Sequence, residues 1–213
     1  MKHEIKFQKF TDFALAEKLL QKHSEKIREY VDHLLWWNER VNLVSRDVSR
    51  ETIVEHVRHS LVIASSDIFR RADKIIDAGS GGGLPGIPLC ILDEDKKVVL
   101  NDIVSKKIMA CKQMILKLQL NHCKAVNGSI ADIELTEGAC VVSKHAFKIN
   151  DLFELIGEKP WLGIILLKGG DEVEKELEGI VQPLKINVFS LEQKNNPFYD
   201  GKALVEITRL KHE

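Results

Sequence analysis

The stretch Lys74-Ile75-Ile76-Asp77-Ala78-Gly79-Ser80-Gly81-Gly82-Gly83-Leu84-Pro85-Gly86-Ile87-Pro88 decides how the chain is read. A short apolar run of β character ends in an acid, passes into glycines and continues into a segment able to start a helix. Glycine suits such a corner because it tolerates positive φ and because, lacking a Cβ, it lets the backbone approach a ligand closely. Backbone N–H groups are then expected to face that ligand. The Gly-x-Gly-x-x-Gly fingerprint of dinucleotide sites is not met, since Leu84 stands where the third glycine would fall. A phosphate-binding P-loop fails for want of Gly-Lys-Ser/Thr. What remains is Asp77-x-Gly79-x-Gly81-x-Gly83.

On the N-terminal side of this corner, apolar residues recur at three- and four-residue spacings from Phe13 to about Ser66, predicting three helices before any strand. Residues 42–50, with Asn, Ser and Asp but no periodicity, read as a loop between the second and third. On the C-terminal side, β-rich runs at 74–78, 97–102, 123–127, 139–143 and 161–167 leave room for helices, and 105–120 and 150–156 have helical spacing. Such alternation predicts a parallel sheet with right-handed crossovers. Runs at 184–191 and 202–208 are separated by a polar stretch with Asn195-Asn196-Pro197 and Asp200-Gly201, too short for a crossover helix, which predicts an antiparallel hairpin. The expectation is one α/β domain over 1–213: a helical cap at 1–66 and a Rossmann-like core at 73–210, with a mostly parallel seven-stranded sheet.

The run at 97–102 ends in Asn101-Asp102, at about the 20-residue interval where an acid meets ribose hydroxyls in nucleotide-binding βαβ units. The plainer reading is a turn at the glycines and a surface helix cap at Asp102. The two features together, at this spacing, favour a nucleoside cofactor.

Composition sets outer bounds. Thirty-one Lys+Arg against 32 Asp+Glu give a net charge of −1, with 44% apolar residues, which excludes a disordered chain and polyanion binding by bulk charge. Locally the balance differs: Ile103 to Ala131 holds five lysines and no Asp or Glu, a basic surface compatible with RNA. Apolar stretches such as 161–167 fall short of the roughly 20 residues of a membrane-spanning helix. The start, Met1-Lys2-His3-Glu4-Ile5-Lys6, lacks the apolar centre of a secretory signal, so the expected location is cytoplasmic. Cysteines 90, 111, 123 and 140 form no Cys-x-x-Cys pair and read as reduced core residues. His56 and His59 lack a third ligand at compatible spacing, so no metal is expected and hydrogen-bonded helix histidines are. Trp36 and Trp37 could stack on bases but read as core.

The glycine pattern resembles the first motif of the class I S-adenosylmethionine-dependent methyltransferases. Further segments narrow the resemblance: Trp36 to Ser45 (WWNERVNLVS), His56 to Leu61 (HVRHSL), the Gly-Gly-Gly-Leu-Pro-Gly-Ile-Pro-Leu corner, Asp102 to Lys107 (DIVSKK), Val141 to Lys144 (VVSK) and Leu167-Lys168-Gly169, in that order. From about residue 10 to 210 the chain resembles the bacterial small-subunit (16S) ribosomal RNA guanine-N7 methyltransferases, the glucose-inhibited division protein B family. That resemblance implies S-adenosyl-L-methionine held by Asp77, Gly79, Ser80, Gly81, Gly83, Leu84, Asp102, Ile130, Ala131 and Lys144, with Lys144, Ser143, Lys168 and His56 at the reaction. It also places Asn42 and Ser60 beside the cleft. The implied partner is small-subunit ribosomal RNA, engaged by a monomer with no DNA or membrane partner.

The chain departs from the family in three places. Lys144-His145 stands for Arg-Ala, Gly128-Ser129-Ile130-Ala131-Asp132 for a run beginning Gly-Arg-Ala-Glu, and Glu55 for the arginine before His56. Lysine keeps the charge of arginine but loses its bidentate fork. Strand ends at Asp77, Asp102, Ser143 and Lys168 are expected to face one crevice, since ligands of open parallel sheets bind outside the carboxyl ends of the strands. The fold hosts many acceptors, so methylation of a small molecule or protein, and a non-catalytic nucleotide-binding ribosome-assembly factor, stand as alternatives.

Overall fold

The computed structural model describes residues 3–210. Strand β1 (Glu4–Lys9) precedes helices α1 (Phe13–Lys22), α2 (Ser24–Val41), α3 (Arg50–Leu61) and the short α4 (Asp67–Arg71). The alternating core follows: β2 (Lys74–Ala78), α5 (Gly86–Leu92), β3 (Lys97–Asp102), α6 (Ser105–Lys117), β4 (Cys123–Asn127), β5 (Ala139–Lys144), α7 (Ile149–Ile156), β6 (Gly163–Gly169), α8 (Val173–Glu176), β7 (Leu184–Ser190) and β8 (Lys202–Arg209). All strands join one sheet in the order β1-β7-β8-β6-β5-β2-β3-β4. Neighbours run parallel except β8, which is antiparallel to both β6 and β7, as the hairpin reading requires.

The sheet has eight strands rather than seven. The added β1 lies at the edge, parallel to β7 from Glu4↔Lys185 to Lys9↔Ser190. Its sequence, EIKFQK, buries almost nothing. Backbone pairing holds it with only Ile5 packed on the core, and its edge lysines discourage further strand addition.

Both sheet faces are covered, so the central strands are apolar throughout. In β2, Ile75 enters the layer formed with the N-terminal helices, α5 and α6, while Ile76 enters the opposite layer with α7 and α8; both are fully buried. Helix α2 presents Ile27, Tyr30, Val31, Leu34 and Asn38 inward, the three- and four-residue spacing of one helical face. It stops at Asn42, whose φ of 52° is left-handed. Trp37 packs against this core, but Trp36 is 50% exposed with the Arg40 guanidinium stacked 3.7 Å from its ring centroid. Adjacent helix positions point about 100° apart, so only one of the two tryptophans can face inward. All four cysteines are buried and free.

The second layer is locked by a buried ion pair. Lys168, at the end of β6, pairs with Glu176, both side chains under 10% exposed. Oε2 of Glu176 also accepts the Ile149 N–H at 2.8 Å, satisfying a first-turn donor of α7. Removing one member strands the other charge without water or partner. Glu176→Ala is expected to cost about 3–5 kcal/mol of stability, measured by urea denaturation, and to loosen α7 first in amide exchange.

Candidate functional site

Strand β2 delivers Asp77 and Ala78 to the carboxyl edge of the sheet, and the chain turns through Gly79 (φ 70°), Gly81 (φ 54°) and Gly83 (φ 91°). The loop's N–H groups do not project outward as expected from the sequence. Gly79 and Ser80 donate to the Asn101 carbonyl at 2.8 and 3.0 Å, and Gly81 donates to Asp102 Oδ2 at 2.9 Å. Adjacent strand ends supply ready acceptors, and pairing buried N–H groups outweighs holding them open. From the other side, the fully buried Tyr30 of α2 donates its hydroxyl to the Gly82 carbonyl at 2.9 Å. The cap therefore clamps the glycine corner onto the sheet.

Asp102 joins both sequence readings in one residue. Oδ2 holds Gly81, and Oδ1 accepts the Val104 N–H at 2.9 Å, capping the approach to α6. Each carboxylate oxygen keeps a further acceptor site. The neighbouring corner after β4 is tied to the same place: Gly128 N–H donates to the Asp102 carbonyl, while the Asn127 side chain donates to the carbonyls of Asp102 and Ile103. Asn101 donates its side-chain N–H to Gly128 O at 3.0 Å. Ile130 and Ala131 then form a tight turn capped by Ser129, with Ile130 buried. Tyr30, Asn101 and Asn127 escaped the sequence reading; only the position of the asparagines at strand ends hinted at such ties.

Asp77 is completely buried. Oδ2 accepts the Gly86 N–H at 2.9 Å, and Oδ1 has no partner among the described residues. Burial, reinforced by the charge of Asp102 against the Gly86 hydrogen bond, pushes its pKa up to about 8. A Cβ on Gly86 would lie 2.6 Å from this carboxylate and 2.1 Å from Leu100, so only glycine fits. A Cβ on Gly81 would meet only the Leu43 carbonyl, at the ordinary contact distance of 3.7 Å.

On the cap side, Lys144 ends β5 and donates to His56 Nδ1 at 2.8 Å. Burial first, then the Lys144 charge, lowers the His56 pKa to about 4, so the ring is a neutral acceptor at pH 7. Burial and the nearby Lys202 charge bring Lys144 down to about 8. Ser60 bonds back to the His56 carbonyl at 2.9 Å, and Ser143 donates to the Ala78 carbonyl at 2.7 Å, joining β5 to the glycine corner. Asn42 accepts from Arg46 at 3.2 Å, and Asn38 closes the loop after α2 through Val44 and Ser45. His59, expected to be hydrogen-bonded like His56, is instead buried with neither ring nitrogen partnered among the described residues, packed against Phe198 and Tyr199.

Asp77, the glycines, Leu84, Asp102, Ile130, Ala131 and Ser143 thus gather at the carboxyl ends of β2 to β5, with Lys144 and His56 bordering them. Lys168 does not present its ammonium to this crevice, because Glu176 takes it into the second layer. Two buried carboxylates at a glycine corner, one with an oxygen unpartnered among the described residues, suit a cationic nucleoside carrying vicinal hydroxyls.

A family model described as rRNA small subunit methyltransferase G matches residues 23–200. The chain is 36% identical to a protein of Chlorobium phaeobacteroides named ribosomal RNA small subunit methyltransferase G, over 73% of this chain and 72% of the relative. A protein of the same name from Chlorobaculum tepidum is 34% identical over 80% and 83%. Among solved structures, an O-methyltransferase from Bacillus cereus in complex with SAH superposes with a TM-score of 0.55 at 15% identity, covering 85% of this chain and 90% of that one, a likeness of fold.

Asp77 gives the corner a pH signature. Its folded pKa lies above the unfolded value, so the native state holds an extra proton from the ordinary carboxylate range up to about 8. Stability therefore falls as pH rises through that window, by at most about 1.4 kcal/mol per unit. Asp77→Asn, which keeps an acceptor for Gly86, is expected to flatten this slope in denaturation curves taken from pH 5 to 8.

Proposed function

The chain belongs to the rRNA small subunit methyltransferase G family, and from that premise we propose that it transfers the methyl group of S-adenosyl-L-methionine to N7 of a guanine in small-subunit (16S) ribosomal RNA. The observation that carries the reading is the joining of the glycine corner to Asp102 through the Gly81 N–H, which holds an acid beside a loop that only small residues can form. The bound cofactor supplies an electrophilic methyl on a sulfonium sulfur.

In this reading Asp102 accepts from the ribose hydroxyls with the lone pairs left free by Gly81 and Val104. Gly79, Ser80, Gly81, Gly83 and Leu84 form the floor, Asp77 lends acceptor character toward the cationic end, and Ile130 and Ala131 flank the base. Guanine N7 carries an in-plane lone pair, so attack on the methyl carbon requires no deprotonation. The protein's task is then alignment of nucleophile, carbon and leaving sulfur. Lys144 meets guanine O6 or a phosphate, His56 positions it by accepting its N–H, and Ser143 fixes the strand end beneath. Lys168 acts through Glu176 as a positioning residue. The enzyme is read as a cytoplasmic monomer engaging neither DNA nor membrane; no helix among the described residues is long and apolar enough to cross a membrane.

The decisive experiment deletes the gene, maps loss of 7-methylguanine in small-subunit RNA base by base, and attempts rescue. Wild-type protein is expected to restore the mark. Gly81→Asp, which forces a side chain into φ 54° and a charge beside Asp102, is expected not to restore it while remaining folded. Full rescue by a folded variant would remove the glycine corner from the reaction.

Lys144 provides a second test. A charge that disappears near pH 8 should leave RNA affinity declining as pH rises through that value. In Lys144→Arg, whose guanidinium stays protonated, the Michaelis constant for RNA is expected to hold level from pH 7 to 9. An unchanged pH profile would take Lys144 out of RNA contact.

A further inference from the structure

Helix α6 leaves its outer face without a partner among the described residues. Its inner face, formed by Ile108, Ala110, Cys111 and Met114, is buried. Outside, Met109 is 48% and Leu116 69% exposed, and Ile103, just before the helix, is 76% exposed. Met109 and Leu116 are seven residues apart, close to two full turns, so they lie on one line along the helix. The 100° step per residue places Lys112 on one flank of that line and Lys106 and Lys117 on the other.

None of these lysines enters an ion pair among the described residues, although nine pairs form elsewhere. From Ile103 to Ala131 the sequence contains no carboxylate that could pair with them. In a chain of net charge −1, this is a segregated positive surface rather than a share of a general excess. It begins one residue after Asp102, so its near end lies beside the cofactor corner.

We infer that the outer face of α6, with Lys106, Lys112 and Lys117 around Ile103, Met109 and Leu116, is a docking surface for ribosomal RNA flanking the methylated guanine. The lysines meet phosphates, and the apolar line meets sugars and unstacked bases, the two kinds of surface that non-helical RNA offers. The inference rests on the RNA-methylating function proposed above and assigns a contact outside the reaction centre.

The test uses the full chain and measures affinity across a salt series for deproteinised small-subunit RNA and for assembled small subunits. Lys112→Glu with Lys117→Glu is expected to lower the salt slope by about two and to weaken binding by about tenfold at physiological salt. Met109→Ser with Leu116→Ser is expected to weaken binding while leaving the slope unchanged. Cofactor affinity by calorimetry should match wild type in both. Unaltered RNA affinity and slope in both double variants would overturn the inference. So would a loss seen with assembled subunits alone, which would make the partner a ribosomal protein, or a loss seen only on phosphatidylglycerol vesicles, which would make it a membrane. Wild-type protein that binds RNA through this face yet yields no 7-methylguanine would instead refute the proposed function and leave the surface standing.

Discussion

The site depends on one carboxylate. Asp102 holds the Gly81 N–H with one oxygen and the Val104 N–H with the other, so a single side chain sets the glycine corner and the start of α6 relative to each other. Hydrogen bonds to an ionised acceptor are roughly twice as strong as neutral ones. Its position at the end of a central parallel strand makes the arrangement stiff, because β3 is paired on both sides, with β2 and with β4. The corner after β4 fastens to the backbone of the same residue through Gly128 and Asn127. Moving any one of these turns would disturb the others, and that rigidity is what a reaction driven by alignment requires.

The helical cap is part of the same construction rather than an appended layer. Tyr30 reaches from α2 to the Gly82 carbonyl, and His56 reaches from α3 to Lys144. Burial keeps His56 neutral, which suits it to accept from a charged lysine instead of repelling it. The same low dielectric acts on Asp77 in the opposite chemical sense, favouring its protonated form. A cationic ligand beside Asp77 would restore its charge, so binding and proton release are linked at this position.

Much of this was legible in the sequence because parallel strands buried on both faces are continuous apolar runs with sharp ends. The runs at 74–78, 97–102 and 123–127 coincide with β2, β3 and β4, and the acid ending β3 falls where the spacing implied. Strand β1 was not legible: its one apolar face is just Ile5 and Phe7, of which Phe7 stays exposed, and pairing with β7 makes it a strand. The direction of the glycine loop's N–H groups was not legible either, since it depends on which acceptor a neighbouring strand brings alongside. Lys168 shows the same limit. Its position at a strand end was readable, but its partner Glu176 comes from a short helix beyond the next loop, and the pairing turns a candidate contact into an anchor.

The departures from the family pattern concentrate where the structure is most polar. At Lys144 a single ammonium cannot hold two acceptors in the planar fork that an arginine offers. Here it is given a fixed direction by His56 instead. Likewise Ser129, standing where the family shows arginine, caps the Ile130 turn through the Ala131 N–H at 3.1 Å, supplying local order to a segment without a long cationic side chain. Each change replaces one multidentate group by a smaller group held by its neighbours. The geometry of the crevice therefore depends on the packing of α3 and the turn after β4.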